Sequence, residues 1–138
     1  MQISKQIIDP EIDNDIRRAL FQVLAEMKKP TEVDSFLDGL LTDAELVALS
    51  KRLAIAYSLK QGKSYDEIRR HLKVSSATIA SVQDKLHHST GLDIAIKKLE
   101  QDAWADNLAK RIMAVFDKKT PWTSTFLHKR VKYIDDDN

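Results

Sequence analysis

Residues Leu40–Leu86, LLTDAELVALSKRLAIAYSLKQGKSYDEIRRHLKVSSATIASVQDKL, contain three successive helix starts, and their spacing decides the fold. Thr42-Asp-Ala-Glu45 has the form of a capping box, in which the threonine oxygen meets an orphan N–H and the glutamate reaches back. It opens a helix to about Lys60, with Leu46, Leu49, Leu53, Ala56 and Leu59 expected to face inward. Gly62 stands where a helix wants a left-handed residue just past its end. Ser64-Tyr-Asp-Glu67 is a second capping box, predicting a helix of only about eight residues that ends near Leu72. Lys73-Val74 then makes a tight connection, and Ser75 caps a further helix through His87, with Thr78 at its third position. Two short helices so closely joined are the sequence form of a helix-turn-helix over residues 64–88. Ile68, Leu72, Val74, Ile79, Val82 and Leu86 suit its interior. Helical bundles that never touch nucleic acid also contain such pairs, so the outline alone leaves the function open.

Upstream, Asp9-Pro10 sets a capping side chain before a proline, predicting a first helix from Pro10 to about Lys28. Ile12, Ile16, Leu20, Val23 and Met27 recur at steps of three and four and form one apolar stripe. Pro30-Thr31 is expected to end it, and Thr31–Asp34 to start a short helix through Phe36, Leu37 and Leu40. Downstream of Ser89-Thr90-Gly91, a longer helix carries Leu92, Ile96, Leu99, Ala103, Leu108, Ile112 and Phe116 and is expected to end near Lys118-Lys119. The tail mixes aromatics with a basic run and ends in Asp135, Asp136, Asp137 and Asn138. No strand pattern of useful length and no internal repeat occurs. The expected class is all-α, a helical bundle divided into a domain over residues 1–91, a C-terminal helix over 92–119 and an aromatic, basic tail over 120–138.

Composition agrees with a single ordinary globular domain: 138 residues, 43% hydrophobic and 31% charged, with three Gly and three Pro. Cysteine is absent, which removes disulfides and thiolate metal sites. The N-terminal MQISKQIIDPEIDND lacks the apolar run of a signal peptide, and no window is long and apolar enough to cross a bilayer. The expected location is therefore the cytoplasm, with no membrane partner. Net charge is +1, but it is unevenly placed. Residues 1–59 carry seven Lys/Arg against ten Asp/Glu, residues 60–88 six against three, and residues 89–138 nine against eight. The positive excess thus falls on the helix-turn-helix, a modest footprint for nucleic acid.

In a helix-turn-helix the second helix enters the major groove and its N-terminal residues meet base edges. Ser75, Ser76, Ala77 and Thr78 occupy that turn, and Ser81 lies one turn on. Hydroxyls exchange hydrogen bonds with bases, and small apolar groups contact a thymine methyl. Lys63, Arg69, Arg70, Lys73 and Lys85 are placed for phosphate, as is His71, and such contacts set register and salt dependence more than sequence preference. The competing view is that the serines are only caps and the cations only solvated surface.

The same segment resembles the core of the Trp repressor superfamily, especially its Trp-repressor-like YerC/YecD branch. The similarity rests on Leu41-Thr42-Asp43-Ala44-Glu45, Ala48-Leu49, Arg52, Gly62-Lys63-Ser64-Tyr65, Glu67-Ile68, Leu72 and Ala77-Thr78-Ile79, and extends upstream through Phe36-Leu37 to Leu20-Phe21. It covers about residues 16–86 and fades beyond residue 91. The resemblance implies an intertwined homodimer on double-stranded DNA, with Ala77 and Thr78 at base-contacting positions and Arg69 at a basic one. It also implies a tryptophan pocket built from a threonine and an arginine on the third helix and a second arginine on the recognition helix. Thr42 and Arg52 match the first two, but Ser81 stands at the third position and Val82 replaces the small residue after it. Without the second guanidinium an amino-acid carboxylate loses a bidentate partner. Tryptophan is thus not expected to bind, Thr42 and Arg52 remain as a vestigial pocket, and the effector is unassigned. Lys73 stands where the family often has a small turn residue, and left-handed geometry costs a lysine more.

Other chemistry is thin. His87 and His88 are adjacent and diverge on a helix, so they make a poor chelating pair. No Gly-rich phosphate loop or nucleophile elbow occurs, so neither an enzyme nor a cofactor is expected. His128-Lys129-Arg130-Val131-Lys132, beside Trp122, Phe126 and Tyr133, is a candidate extra DNA arm, whereas Trp104 is expected to pack. Two functions remain: a dimeric transcriptional regulator, a repressor by resemblance, and a helical protein–protein interaction module that keeps the helix-turn-helix as scaffold. The first predicts cations gathered around Thr78. The second predicts an exposed apolar patch there or on the C-terminal helix.

Overall fold

The computed structural model describes residues 7–101, together with Lys110, Arg111 and Ala114. Among the described residues, six α-helices follow one another: α1 (Pro10–Glu26), α2 (Pro30–Leu40), α3 (Asp43–Lys60), α4 (Tyr65–Leu72), α5 (Ser76–His88) and α6 (Thr90–Gln101). Among the described residues there is no strand, and the fold is all-α as the sequence implies. The continuation of the C-terminal helix toward Lys119, Trp104 and the aromatic, basic tail lie outside the described residues.

The chain divides between Leu41 and Thr42 into two units, one holding α1 and α2 and the other α3 to α6. In the first unit, Asp9 Oδ1 accepts from Glu11 N at 2.9 Å and Pro10 occupies the first helical position of α1. The helix ends at Glu26, slightly short of the expected Lys28. Met27, at its cap, is already extended (φ −72°, ψ 121°), and Pro30 holds Lys29 extended in turn (φ −110°, ψ 136°). Pro30 is also the first residue of α2 rather than a mere terminator, and Lys29, not a threonine, stands at its cap. A lysine side chain has no acceptor, so only half a capping box forms: Glu32 Oε2 accepts from Lys28 N at 3.2 Å and Lys29 N at 3.4 Å. Neither α1 nor α2 has a buried residue.

The second unit has an apolar core. Ala54, Ile55, Ala56 and Tyr57 of α3 pack with Ile68 and Leu72 of α4, Ile79 and Val82 of α5, and Ile96 and Leu99 of α6. Helix α3 touches each of the other three, which is why five consecutive residues, Ala54–Ser58, are buried. This departs from the expected one-sided stripe. Leu49 is 49% exposed, while Ile55, Tyr57 and Ser58 go inside, because the C-terminal half of α3 is surrounded rather than half-covered. Ser58 tolerates complete burial because its hydroxyl donates to Ala54 O at 2.7 Å. Helix α6 begins at Thr90, so Gly91 is helical and not part of a preceding loop. Lys60 pairs with Asp93 at 2.6 Å and Gln61 Nε2 donates to Glu100 Oε1 at 3.1 Å, joining the end of α3 to α6.

Candidate nucleic-acid interface

The helix-turn-helix is built from α4, the residues Lys73–Ser75 and α5. Its entrance is set by the end of α3. Gly62 is left-handed (φ 77°), which lets Gly62 N donate to Leu59 O and Lys63 N to Ser58 O, both at 3.0 Å. That pair of bonds closes the last turn of α3 and redirects the chain. The Ser64 hydroxyl then accepts from Glu67 N at 3.3 Å, while Glu67 Oε2 takes the Ser64 backbone N–H at 2.8 Å. These two bonds fix the start of α4, and the Ser64 backbone N–H, followed by the Ser64 hydroxyl donating to Glu67 Oε2 at 3.0 Å, holds the Glu67 carboxyl below its ordinary range. Thr42 and Glu45 make the same box on α3, with the same effect on Glu45.

The turn itself rests on Lys73, which adopts φ 53° and ψ 56°. It alone among the non-glycine described residues has positive φ, and a side chain pays for that conformation. Lys51 Nζ of α3 donates to the Lys73 carbonyl at 3.4 Å. Ser75 then caps α5: its Oγ accepts from Thr78 N at 3.1 Å and lies 2.9 Å from Thr78 Oγ1. The left-handed lysine and the Ser75 cap stand where the sequence places them.

Helix α5 presents Ala77, Ala80, Ser81, Asp84, Lys85 and His88 as one exposed stripe at helical spacing, with Ser76 exposed at its start. Ile79 and Val82 face the opposite way, into the core. Ser76, Ala77 and Ser81 are thus solvent-facing, whereas Ser75 and Thr78 spend their hydroxyls on each other and on the cap, and Thr78 is half-buried. Ala80 is missed by a reading that stops at the first helical turn, although its distance of three from Ala77 puts it on the same stripe.

Of the cations, Lys73 and Lys85 are exposed, and Lys85 lies one turn beyond Ser81 on the stripe. Arg69 and Arg70 share one acid: Arg69 Nη2 meets Asp66 Oδ1 at 2.9 Å, and Arg70 Nε lies 3.9 Å from Asp66 Oδ2. Lys63 Nζ is 4.0 Å from Glu67 Oε1. The sequence segment is basic, but its acids are spent locally against those same cations, which composition does not reveal. Asp84 likewise sits 3.4 Å from His88 Nδ1.

The expected effector residues are separated in role. The Thr42 hydroxyl donates to Glu45 Oε2 at 2.8 Å and accepts from Glu45 N at 3.3 Å, so it is occupied by the cap. Arg52 is exposed, and Val82 belongs to the core. Among the described residues, no three His, Asp or Glu side chains come together as a metal site, and no helix is long and apolar enough to cross a membrane.

Among the described residues, the exposed large hydrophobic side chains are Ile7, Ile8, Ile12, Ile16, Phe21, Val23, Leu40, Leu49 and Ile94. None of these belongs to α4 or α5. Among the described residues, the outward face of the helix-turn-helix is therefore free of large apolar side chains, and α1 carries four of the exposed ones, Ile12, Ile16, Phe21 and Val23.

Comparison with known proteins agrees with this architecture. A Bacillus subtilis (strain 168) protein described as "Uncharacterized protein YerC" is 29% identical over 102 residues, which is 73% of this chain and 92% of that relative. No solved structure matches. Residues 17–100, more than half of the chain, match the family described as Trp repressor protein. That span takes in most of α1, all of α2 to α5 and nearly all of α6, so the chain belongs to the Trp repressor family.

Proposed function

We propose that this protein is a dimeric, sequence-specific DNA-binding regulator that represses transcription without tryptophan as corepressor. Membership of a family of helix-turn-helix DNA-binding regulators supplies the class. The observation that carries the reading is the outward stripe of α5, small and polar at its N-terminal end and free of large apolar side chains. Ser76, Ala77 and Ser81 meet base edges in the major groove, with Ser75 and Thr78 shaping the turn and contributing through any hydroxyl capacity the cap leaves. Lys63, Arg69, Arg70, Lys73 and Lys85 contact phosphates, and Thr42 and Arg52 are the remnant of an effector pocket. The partner that completes the molecule is a second copy, held by the exposed apolar side chains of α1. A pair of heads reads a two-fold operator.

The test is selection of bound fragments from random-sequence duplex DNA at two salt concentrations. A palindromic motif whose affinity falls steeply with salt supports the reading and supplies the operator. Added tryptophan is expected to leave that affinity unchanged. If nothing binds even at low salt, the helix-turn-helix serves as a scaffold for protein contact, and the interaction-module reading replaces this one.

A further inference from the structure

Helices α4 and α5 meet through apolar contacts, Ile68 and Leu72 on one side and Ile79 and Val82 on the other, in a core shared with α3 and α6. Such contacts are non-directional. They keep the helices together but resist poorly a rotation of α5 about its own axis, and it is that rotation which aims the stripe from Ala77 to Lys85. A directional link between the two helices is present. The Tyr65 hydroxyl, at the first position of α4, donates to Gln83 Oε1, about two turns into α5. Both side chains are half-buried, and the Tyr65 ring packs against the core while its hydroxyl reaches across. A hydrogen bond weakens steeply when its angle opens, and more is at stake where water is partly excluded.

The placement of the two residues suits this task. Tyr65 follows the Ser64 cap directly, so its backbone is fixed by the Ser64–Glu67 box. Gln83 lies next to Val82, on the flank of α5 between the buried side and the exposed stripe. A rotation of α5 that kept its apolar side covered would still break this bond.

We propose that Tyr65 is a positioning residue for DNA recognition: through Gln83 it sets the rotation of α5 and hence the aim of the base-facing stripe. The proposal rests on the DNA-binding reading above and adds to it a residue that touches no DNA. Loss of the clasp costs specific affinity, where the stripe must meet base edges, and spares non-specific affinity, where phosphate charge suffices.

The experiment measures binding of the full chain to its selected duplex and to random duplex at two salt concentrations, for wild type, Tyr65→Phe, Gln83→Leu and the double variant. Tyr65→Phe keeps the packed ring and removes only the hydroxyl, and thermal melting confirms that each variant is folded. Each single change is expected to weaken binding to the selected duplex about three- to tenfold per half-site, the scale of one net hydrogen bond, and so about ten- to a hundredfold for the dimer. Random DNA is expected to bind within about twofold of wild type with an unchanged salt slope, and the double variant to be no weaker than the singles. Equal losses on both DNAs, losses that multiply in the double variant, or a Tyr65→Phe variant that binds like wild type would each overturn the proposal. A reduced salt slope in Tyr65→Phe would also overturn it, by placing the hydroxyl at a phosphate. Failure of the wild type to select any duplex would bring down the functional reading and this proposal together. Selection by wild type with no effect of Tyr65→Phe would bring down the proposal alone.

Discussion

Helices α3 to α6 bury ten hydrophobic side chains in a core of their own, whereas α1, seventeen residues long, buries none. Helices α1, α4 and α6 all carry an apolar stripe in sequence, so the contrast does not lie in periodicity. In α3 to α6, which form the head, each apolar stripe meets another within the chain. On α1 the stripe of Ile12, Ile16 and Val23 stays open to solvent, with Phe21 beside it at 64% exposure. A helix of that length gains little from propensity alone and takes most of its stability from packing of its apolar face. The head thus holds a core of its own within one chain, and in the proposed dimer the N-terminal helices take their partner surface from a second copy.

The largest effect expected from this comparison is in the head. Leu72 is fully buried between α4 and its neighbours, so Leu72→Ala opens a cavity and should cost about 2–5 kcal/mol. Urea unfolding followed by circular dichroism checks it. A cost below about 1 kcal/mol would mean that the head has no tight core, and the contrast with α1 would disappear.

On α1 the expectation takes another form. Phe21→Ser exposes nothing new in a single chain, but in a dimer it removes a large apolar contact worth about 1.5–3 kcal/mol. Dissociation should then set in at a concentration at least about tenfold higher, as read by sedimentation. Wild-type melting should also rise with protein concentration. A wild type that sediments as a monomer at all concentrations would break the proposed assembly while leaving the head intact.

The capping boxes are a smaller test, confined to the head. Ser64→Ala removes the hydroxyl that meets Glu67 N and should cost about 1 kcal/mol, measured by urea unfolding. The box also predicts a pH dependence. The Glu45 and Glu67 carboxyls are held below the ordinary value of 4.5 by the backbone N–H and hydroxyl of Thr42 and Ser64. The unfolded chain therefore binds more protons in that range, and stability rises with pH. The caps' contribution is fully present above about 4.5 and is lost as pH falls through the lowered folded values. Titrating the unfolding midpoint between neutral and acid pH should show that loss, and Glu67→Gln should flatten part of it. A midpoint that does not move below pH 4.5 would be the contrary result.

Much of the head is legible in the sequence because its boundaries are set by short-range chemistry. Thr42, Gly62, Ser64 and Ser75 each act within a few residues, and each stands where the pattern places it. Ile68, Leu72, Ile79 and Val82 follow from the same local rule. What the sequence does not reveal depends on neighbours far along the chain. Burial of Ile55, Tyr57 and Ser58 arises because α4, α5 and α6 all crowd the end of α3, which a one-helix stripe cannot express. At the candidate interface, residue types indicate which positions are basic. They do not indicate that Asp66 engages Arg69 and Arg70, or that Ser75 and Thr78 consume their own hydroxyls.

The smallest effect concerns Lys73, where local strain and the proposed function pull in opposite directions. A lysine at φ 53° carries about 1–2 kcal/mol of left-handed cost. Glycine removes that cost and adds about 0.5–1 kcal/mol of chain entropy to be lost on folding. Lys73→Gly should therefore stabilise the head by about 0.5 kcal/mol, the difference between those two terms. The bond from Lys51 Nζ survives the change, because it ends on the backbone carbonyl. If the Lys73 ammonium meets a phosphate, the same variant binds DNA more weakly, and its plot of log affinity against log salt is shallower by about 1.8, about 0.9 for each of the dimer's two lysines. A more stable protein that binds less well would show that the turn keeps a strained lysine for its charge. A more stable protein with unchanged binding and slope would remove Lys73 from the interface. The left-handed turn would then be a purely structural feature of the head, like the glycine at position 62.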